Sequence, residues 1–182
     1  MITHLVKTTE LPAVGFLADL TPEHRAFLAC FGKYHRLCPG DVLIAEGASQ
    51  DSLYVILSGN LHIVSSAGNR PLFLASLKEG QSIGEVNLFD TGRASASAIV
   101  RSHALIWSLS RSELGSFIDA DPAAGFGLYH GLLHQLSQRI RSMNEKVSTV
   151  EGRRDAVRGW RSSRASTFPT NSTVAGKSRF GG

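Results

Sequence analysis

Between residues 33 and 110 the apolar positions come in short runs, each stopped by a turn signal: Pro39-Gly40-Asp41, Glu46-Gly47, Ser58-Gly59-Asn60, Ala67-Gly68-Asn69 and Glu79-Gly80. Leu53, Val55 and Leu57 alternate with Tyr54, Ile56 and Ser58, the two-residue period of a strand. Leu61, Ile63 and Val64 suit a half-buried partner strand, and Ser58-Gly59-Asn60 between them reads as a tight hairpin. A last strand is expected over 104–109. Strands at this spacing, with no helices between them, predict an antiparallel β-roll or jelly roll (a double-stranded β-helix) in a mainly β fold with flanking helices.

The period changes at both ends of this region. Thr21-Pro22-Glu23 is a helix start, with threonine as N-cap and proline at the first helical position, and the helix should run to about Phe31. Ser110-Arg111-Ser112-Glu113 reads as a capping box into a second short helix. Asp121-Pro122 starts a long helix. In it Tyr129, Leu133, Leu136, Ile140, Met143, Val147 and Val150 follow one another at alternating steps of four and three, a heptad seam. A seam of this length calls for a partner helix, so a homodimer through it is expected. The boundaries are a lead-in over 1–15, the β-roll with its short helices over 16–121, the dimerisation helix over 122–151 and a tail over 152–182.

Composition refines this picture in three places. The chain has 182 residues, 42% hydrophobic and 19% charged, an ordinary globular balance. No apolar run is long enough to span a bilayer, and MITHLVKTTELP has no signal-peptide pattern, so a cytoplasmic protein is expected. Seven of the 19 Lys/Arg residues but one of the 15 acids fall in 152–182. The tail is thus basic, poor in apolar residues and expected to be disordered, and the remainder is slightly acidic. Cys30 and Cys38 are too few for a four-thiolate cluster and read as buried thiols.

Chemistry concentrates in GQSIGEVNLFDTGRASASAIV (80–100). Gly84-Glu85 opens a short apolar segment, Asp90-Thr91-Gly92 breaks it, and Arg93 precedes a strand of small residues. Unpaired N–H groups at a helix start can hold an anion, and glycine lets the backbone approach closely. A carboxylate can accept from a ribose hydroxyl, and arginine can pair with a phosphate. A plain turn with Glu85 and Arg93 solvated fits the spacing equally well. No nucleophile elbow, P-loop or dinucleotide fingerprint is present, so an enzyme is not expected. His130 and His134 lie four apart without a third ligand and read as a surface pair, not a metal site.

The stretch resembles the phosphate-binding cassette of the cyclic-nucleotide-binding domain family, of the catabolite-activator type. CPGDVLIAEG (38–47) and DSLYVILSGNLHIV (51–64) resemble the family's first hairpins, and RIRSMNEKV (139–147) resembles its dimer helix. The likeness covers roughly 16–150. It implies a regulatory or sensor protein with a cyclic nucleotide, cAMP before cGMP, as its ligand and no other cofactor. By the same likeness Glu85 takes the ribose hydroxyl, while backbone N–H groups near Gly84, Val86 and Ser95 take the phosphate with help from Arg93. Met143 and Asn144 cap the purine. The choice of base rests on Ala94 or Ser95, whichever follows the phosphate-binding position, since a hydroxyl there suits guanine.

The likeness also carries a discrepancy. An ungapped match puts Ala94, not Arg93, where the family has its arginine. That register points Ala96, Ala98 and Val100 inward. Moving Arg93 into place by deleting a loop residue would point Ser95, Ser97 and Arg101 inward instead, so the ungapped register is the better one. A helix-turn-helix is expected after the dimer helix in transcription factors of this type. Residues 152–182 carry no pair of amphipathic helices, so sequence-specific DNA binding is not expected. The alternative function is a degenerate family member that binds no nucleotide and serves as a dimeric interaction module.

Overall fold

In the computed structural model, residues 10–66, 70–90 and 92–165 are described, with side chains as far as residue 145. The strands are β1 (Lys33–Leu37), β2 (Val42–Ile44), β3 (Ser49–Gln50), β4 (Ser52–Ser58), β5 (Asn60–Ser65), β6 (Leu72–Lys78), β7 (Ser82–Ile83), β8 (Gly92–Arg93), β9 (Ser97–Val100) and β10 (Ala104–Ser110). Two four-stranded antiparallel sheets, ordered β1-β10-β4-β7 and β2-β9-β5-β6, and the short pair β3-β8 make up the predicted β-roll.

The expected hairpin at Ser58-Gly59-Asn60 is a corner instead. β4 pairs with β10 and β7, whereas β5 pairs with β6 and β9. Gly59 has φ +88° and lies against the backbone of His103 and Ala104, so it carries the chain from one sheet to the other. A side chain there would strike that backbone. The turn chemistry of a hairpin and of a corner is the same, which is why the sequence suggested the commoner arrangement.

β4 and β10 are apolar on both faces because each separates two cores. Leu53, Val55, Trp107 and Leu109 pack with Leu28, Phe117 and Leu128 on the helical side. Ile56, Ala104 and Ile106 pack with Ile44, Leu61, Ala98 and Val100 inside the roll. Such doubly covered strands read as continuous hydrophobic runs, unlike strands with one wet face.

The helices begin as the caps dictate. In α1 (Pro22–Ala29), Thr21 Oγ1 accepts from His24 N at 3.2 Å. After α2 (Glu85–Phe89) comes α3 (Arg111–Ala120), where Ser110 Oγ accepts from Glu113 N at 3.3 Å and Ser110 N donates to Glu113 Oε2 at 2.7 Å. Asp121 Oδ1 accepts from Ala124 N at 3.0 Å and opens α4 (Pro122–Ala165). Ala124, Leu128 and Leu132 on α4 are buried, while Phe126, Leu133, Ile140 and Met143 are exposed.

Two expectations change. α4 passes the predicted end at 151, so 152–165 is helical rather than disordered. Arg and Ala are good helix formers, and extending an existing helix costs little. The rest of the basic tail, 166–182, lies outside the described residues, as do residues 1–9 of the lead-in. Cys30 and Cys38 are both free and exposed, not buried. No helix among the described residues is long and apolar enough to cross a membrane.

Candidate functional site

β7 lies along β4, with Tyr54 opposite Ile83 and Val55 opposite Ser82. This pairing delivers Gly84 to a tight position against the carbonyl of Ser52. At φ +91° and with no room for a Cβ, only glycine fits there. The turn makes Glu85 the first residue of α2, and its side chain is only 4% exposed. Leu88 N donates to Gly84 O at 3.0 Å and Asp90 N to Val86 O at 2.8 Å, closing the short helix. Its first N–H groups have no acceptor within the helix. Leu88 is buried and anchors α2, while the Val86 side chain is exposed.

The other wall is the strand of small residues. Ser49 pairs with Arg93, Ala94 N donates to Ala48 O at 2.9 Å, and Gly47 N donates to Ala94 O at 2.8 Å. From here burial alternates. Ala94, Ala96, Ala98 and Val100 are buried, whereas Arg93 and Ser95 are exposed. The inward set is that of the ungapped register. Ala94, 9% exposed, therefore occupies the inward position. Arg93 points to the opposite side, where its Nη1 donates to the Gly47 carbonyl at 2.7 Å.

Sequence reasoning took Glu46-Gly47 only as a turn. In the structure Glu46 braces this wall. Its backbone N–H donates to Ser97 Oγ at 3.0 Å, and its carboxylate accepts from Ser65 Oγ at 3.1 Å and from Ser66 N at 2.6 Å. A carboxylate followed by glycine gave no hint of these partners, because they come from β5 and β9.

The arrangement offers a buried carboxylate, a helix start and a small-residue wall on strands that hold them in register. Among the described residues Glu85 is the buried charged side chain, and no Lys or Arg is buried. Residues 34–121 match the family model for the cyclic nucleotide-binding domain. The β-roll belongs to the cyclic nucleotide-binding domain family.

The relatives agree with that placement. A CRP-like cAMP-activated global transcriptional regulator of Mycobacterium tuberculosis is 30% identical over 112 residues, 61% of this chain and 48% of that protein. The chain thus spans about half the length of the curated relatives it matches. The N-terminal domain of a transcriptional regulator from Streptomyces coelicolor superposes with a TM-score of 0.60 at 26% identity, covering 73% of this chain and 91% of that one. The catabolite activator protein of Thermus thermophilus gives a TM-score of 0.65 at 23% identity, covering 75% and 63%, a likeness of fold. The relatives named here are regulators rather than enzymes.

Within this cyclic nucleotide-binding domain Gly84, Glu85 and Val86 of the predicted set stand at the start of α2, with Glu85 buried, and Ala94 and Ser95 follow one another on the small-residue strand, Ala94 buried and Ser95 exposed. Arg93 is adjacent in sequence but on the outer side. In this conformation Arg93, expected to assist with the phosphate, is exposed and donates to the Gly47 carbonyl. Strand alternation turns its side chain away from the face that Ala94 and Ala96 line, and Gly47 O holds the guanidinium there. Met143 and Asn144 are exposed side chains on α4.

The cassette is tied to α4 at two points. Ser82, two residues before Gly84, donates from Oγ to Gln135 Oε1 at 2.9 Å, and the Phe89 ring lies 5.7 Å from that of Tyr129. Sequence inspection marked none of Ser82, Phe89 or Gln135. Their partners lie forty or more residues apart, beyond any local spacing rule.

Proposed function

We propose that this chain is a regulatory module whose β-roll receives a cyclic nucleotide, cAMP in the first place, and whose occupancy is passed to a dimer built on α4. The observation that carries the reading is Glu85, buried behind the Gly84 turn at the start of α2. There the carboxylate accepts from the ribose hydroxyls. The first N–H groups of α2, at Glu85 and Val86, and that of Ser95 take the phosphate. Arg93 supports the site from outside by clamping the Gly47 turn to β8. The cAMP-activated relative supports the choice of nucleotide. Through Ser82–Gln135 and Phe89–Tyr129, a displacement of α2 or β7 is felt on α4. Of the predicted seam, Leu133, Ile140 and Met143 are exposed, whereas Tyr129 packs on the core and Leu136 is half-buried; the exposed three, with Phe126, form the surface on which two copies would pair.

A second reading is favoured by one specific observation. Ala94 fills the inward position and leaves the phosphate without a guanidinium, as expected of a domain that keeps the fold and serves as a dimeric interaction module without nucleotide. Calorimetric titration of the protein with cAMP and cGMP, with 5′-AMP as control, separates the two. The sensor reading predicts saturable binding of cAMP, tighter than cGMP. Its affinity should be on the order of a hundredfold weaker than that of a site with a paired arginine, because a charge-assisted pair is missing. Absence of heat for both cyclic nucleotides at millimolar concentration would leave the interaction module as the function.

A further inference from the structure

The β1-β10-β4 sheet ends in a recess that the cassette does not use. Its volume is about 380 Å³, and none of residues 84–97 lines it. Arg36 lies opposite Leu105, and Leu105 lies opposite Ser58 at a break in the register, so three neighbouring strands bring these residues together at the end of the sheet, where all three line the recess. Cys38 is two residues beyond Arg36 and keeps to its face, and His103 stands at the entry to β10. Leu105 packs on the helical side of the sheet, away from the roll interior into which Ala104 and Ile106 point.

The chemistry of the lining is one-sided. A guanidinium, an imidazole, a hydroxyl and a thiol surround the half-buried Leu105, and no carboxylate lines the recess. Among the described residues neither Arg36 nor His103 has a hydrogen-bond or ion-pair partner. Asp41, in the adjoining turn, accepts from Cys38 N at 2.7 Å and so is engaged within that turn. A planar fork of donors beside a second nitrogen donor and a hydroxyl matches an oxyanion. The half-buried Leu105 beside them matches a compact apolar body, and the volume is that of a small-molecule site.

We propose that this recess binds a small organic oxyanion, a carboxylate or phosphate monoester. The anionic head lies on Arg36, His103 and Ser58, and the body covers Leu105. The site is independent of the nucleotide reading, since it shares no residue with the cassette.

The two exposed cysteines supply the test. Cys38 lines the recess, whereas Cys30 does not, so Cys30 is an internal control for alkylation by iodoacetamide. Phenyl phosphate or benzoate at millimolar concentration should slow modification of Cys38 several-fold and leave Cys30 unchanged. Whichever probe protects identifies the head group. Arg36→Gln should abolish the protection without lowering the melting temperature, because the side chain is exposed and unbonded. Three results would overturn the proposal: no protection by either probe, equal protection of both cysteines, or protection that survives Arg36→Gln. Equal protection by inorganic phosphate alone would also overturn it, since Leu105 would then contribute nothing.

Discussion

If two copies pair on α4 as proposed, replacing Leu133 and Ile140 together by aspartate should convert the dimer to monomers. Both side chains are largely exposed on the single chain, at 63% and 59%, so neither contributes to the core of its own domain. They stand seven residues apart on α4 and share the seam with Phe126 and Met143. In a paired seam each substitution removes an apolar knob and buries a charge, and twofold symmetry doubles the effect. The intrinsic cost of aspartate in a helix is below about 1 kcal/mol per position, so the domain itself should stay folded. Light scattering should report half the wild-type mass with an unchanged far-UV spectrum. A variant that keeps the wild-type mass would show that this seam does not hold the copies together.

The second large effect is a gain. Ala94→Arg places a guanidinium on the inward face, where the site lacks positive charge. A hydrogen bond to a charged partner contributes about 1.5–3 kcal/mol, so cAMP affinity should rise by on the order of a hundredfold. Without ligand the introduced guanidinium is enclosed by the roll at a position that is 9% exposed. The unliganded variant should therefore melt below wild type, and cAMP should restore it by mass action. Melting temperatures that do not respond to cAMP, in the wild type and in the Ala94→Arg variant alike, would match the interaction-module reading. Arg93→Ala should change affinity far less than Ala94→Arg, since Arg93 reaches the site only through the Gly47 turn.

The contrast between these two neighbouring positions shows what the residues alone could reveal. The register of 94–100 was legible because small residues alternate there and only one phase buries them together. The strands and the three capped helix starts were legible because each depends on local chemistry at fixed spacing. The corner at Gly59 was not, because positive φ serves a hairpin and a sheet-to-sheet crossing equally. Nor was the length of α4, which is set by propagation from a stable start rather than by an apolar pattern of its own. The thiols at Cys30 and Cys38 were misplaced because a short residue carries no periodic signal. Glu46, Ser82 and Gln135 took on their roles from partners far along the chain. The recess joins Arg36, Ser58 and His103, which only strand pairing makes neighbours.

Hydrogen–deuterium exchange of the wild-type protein with and without cAMP tests the central claim most directly, because it reports the place of binding as well as its occurrence. A nucleotide held by Glu85 and the neighbouring N–H groups should slow exchange in peptides covering 82–98 and, through Ser82–Gln135 and Phe89–Tyr129, in those covering 126–137. Peptides from α1 should be unchanged. Exchange in 82–98 that is the same with saturating cAMP as without it would contradict the account.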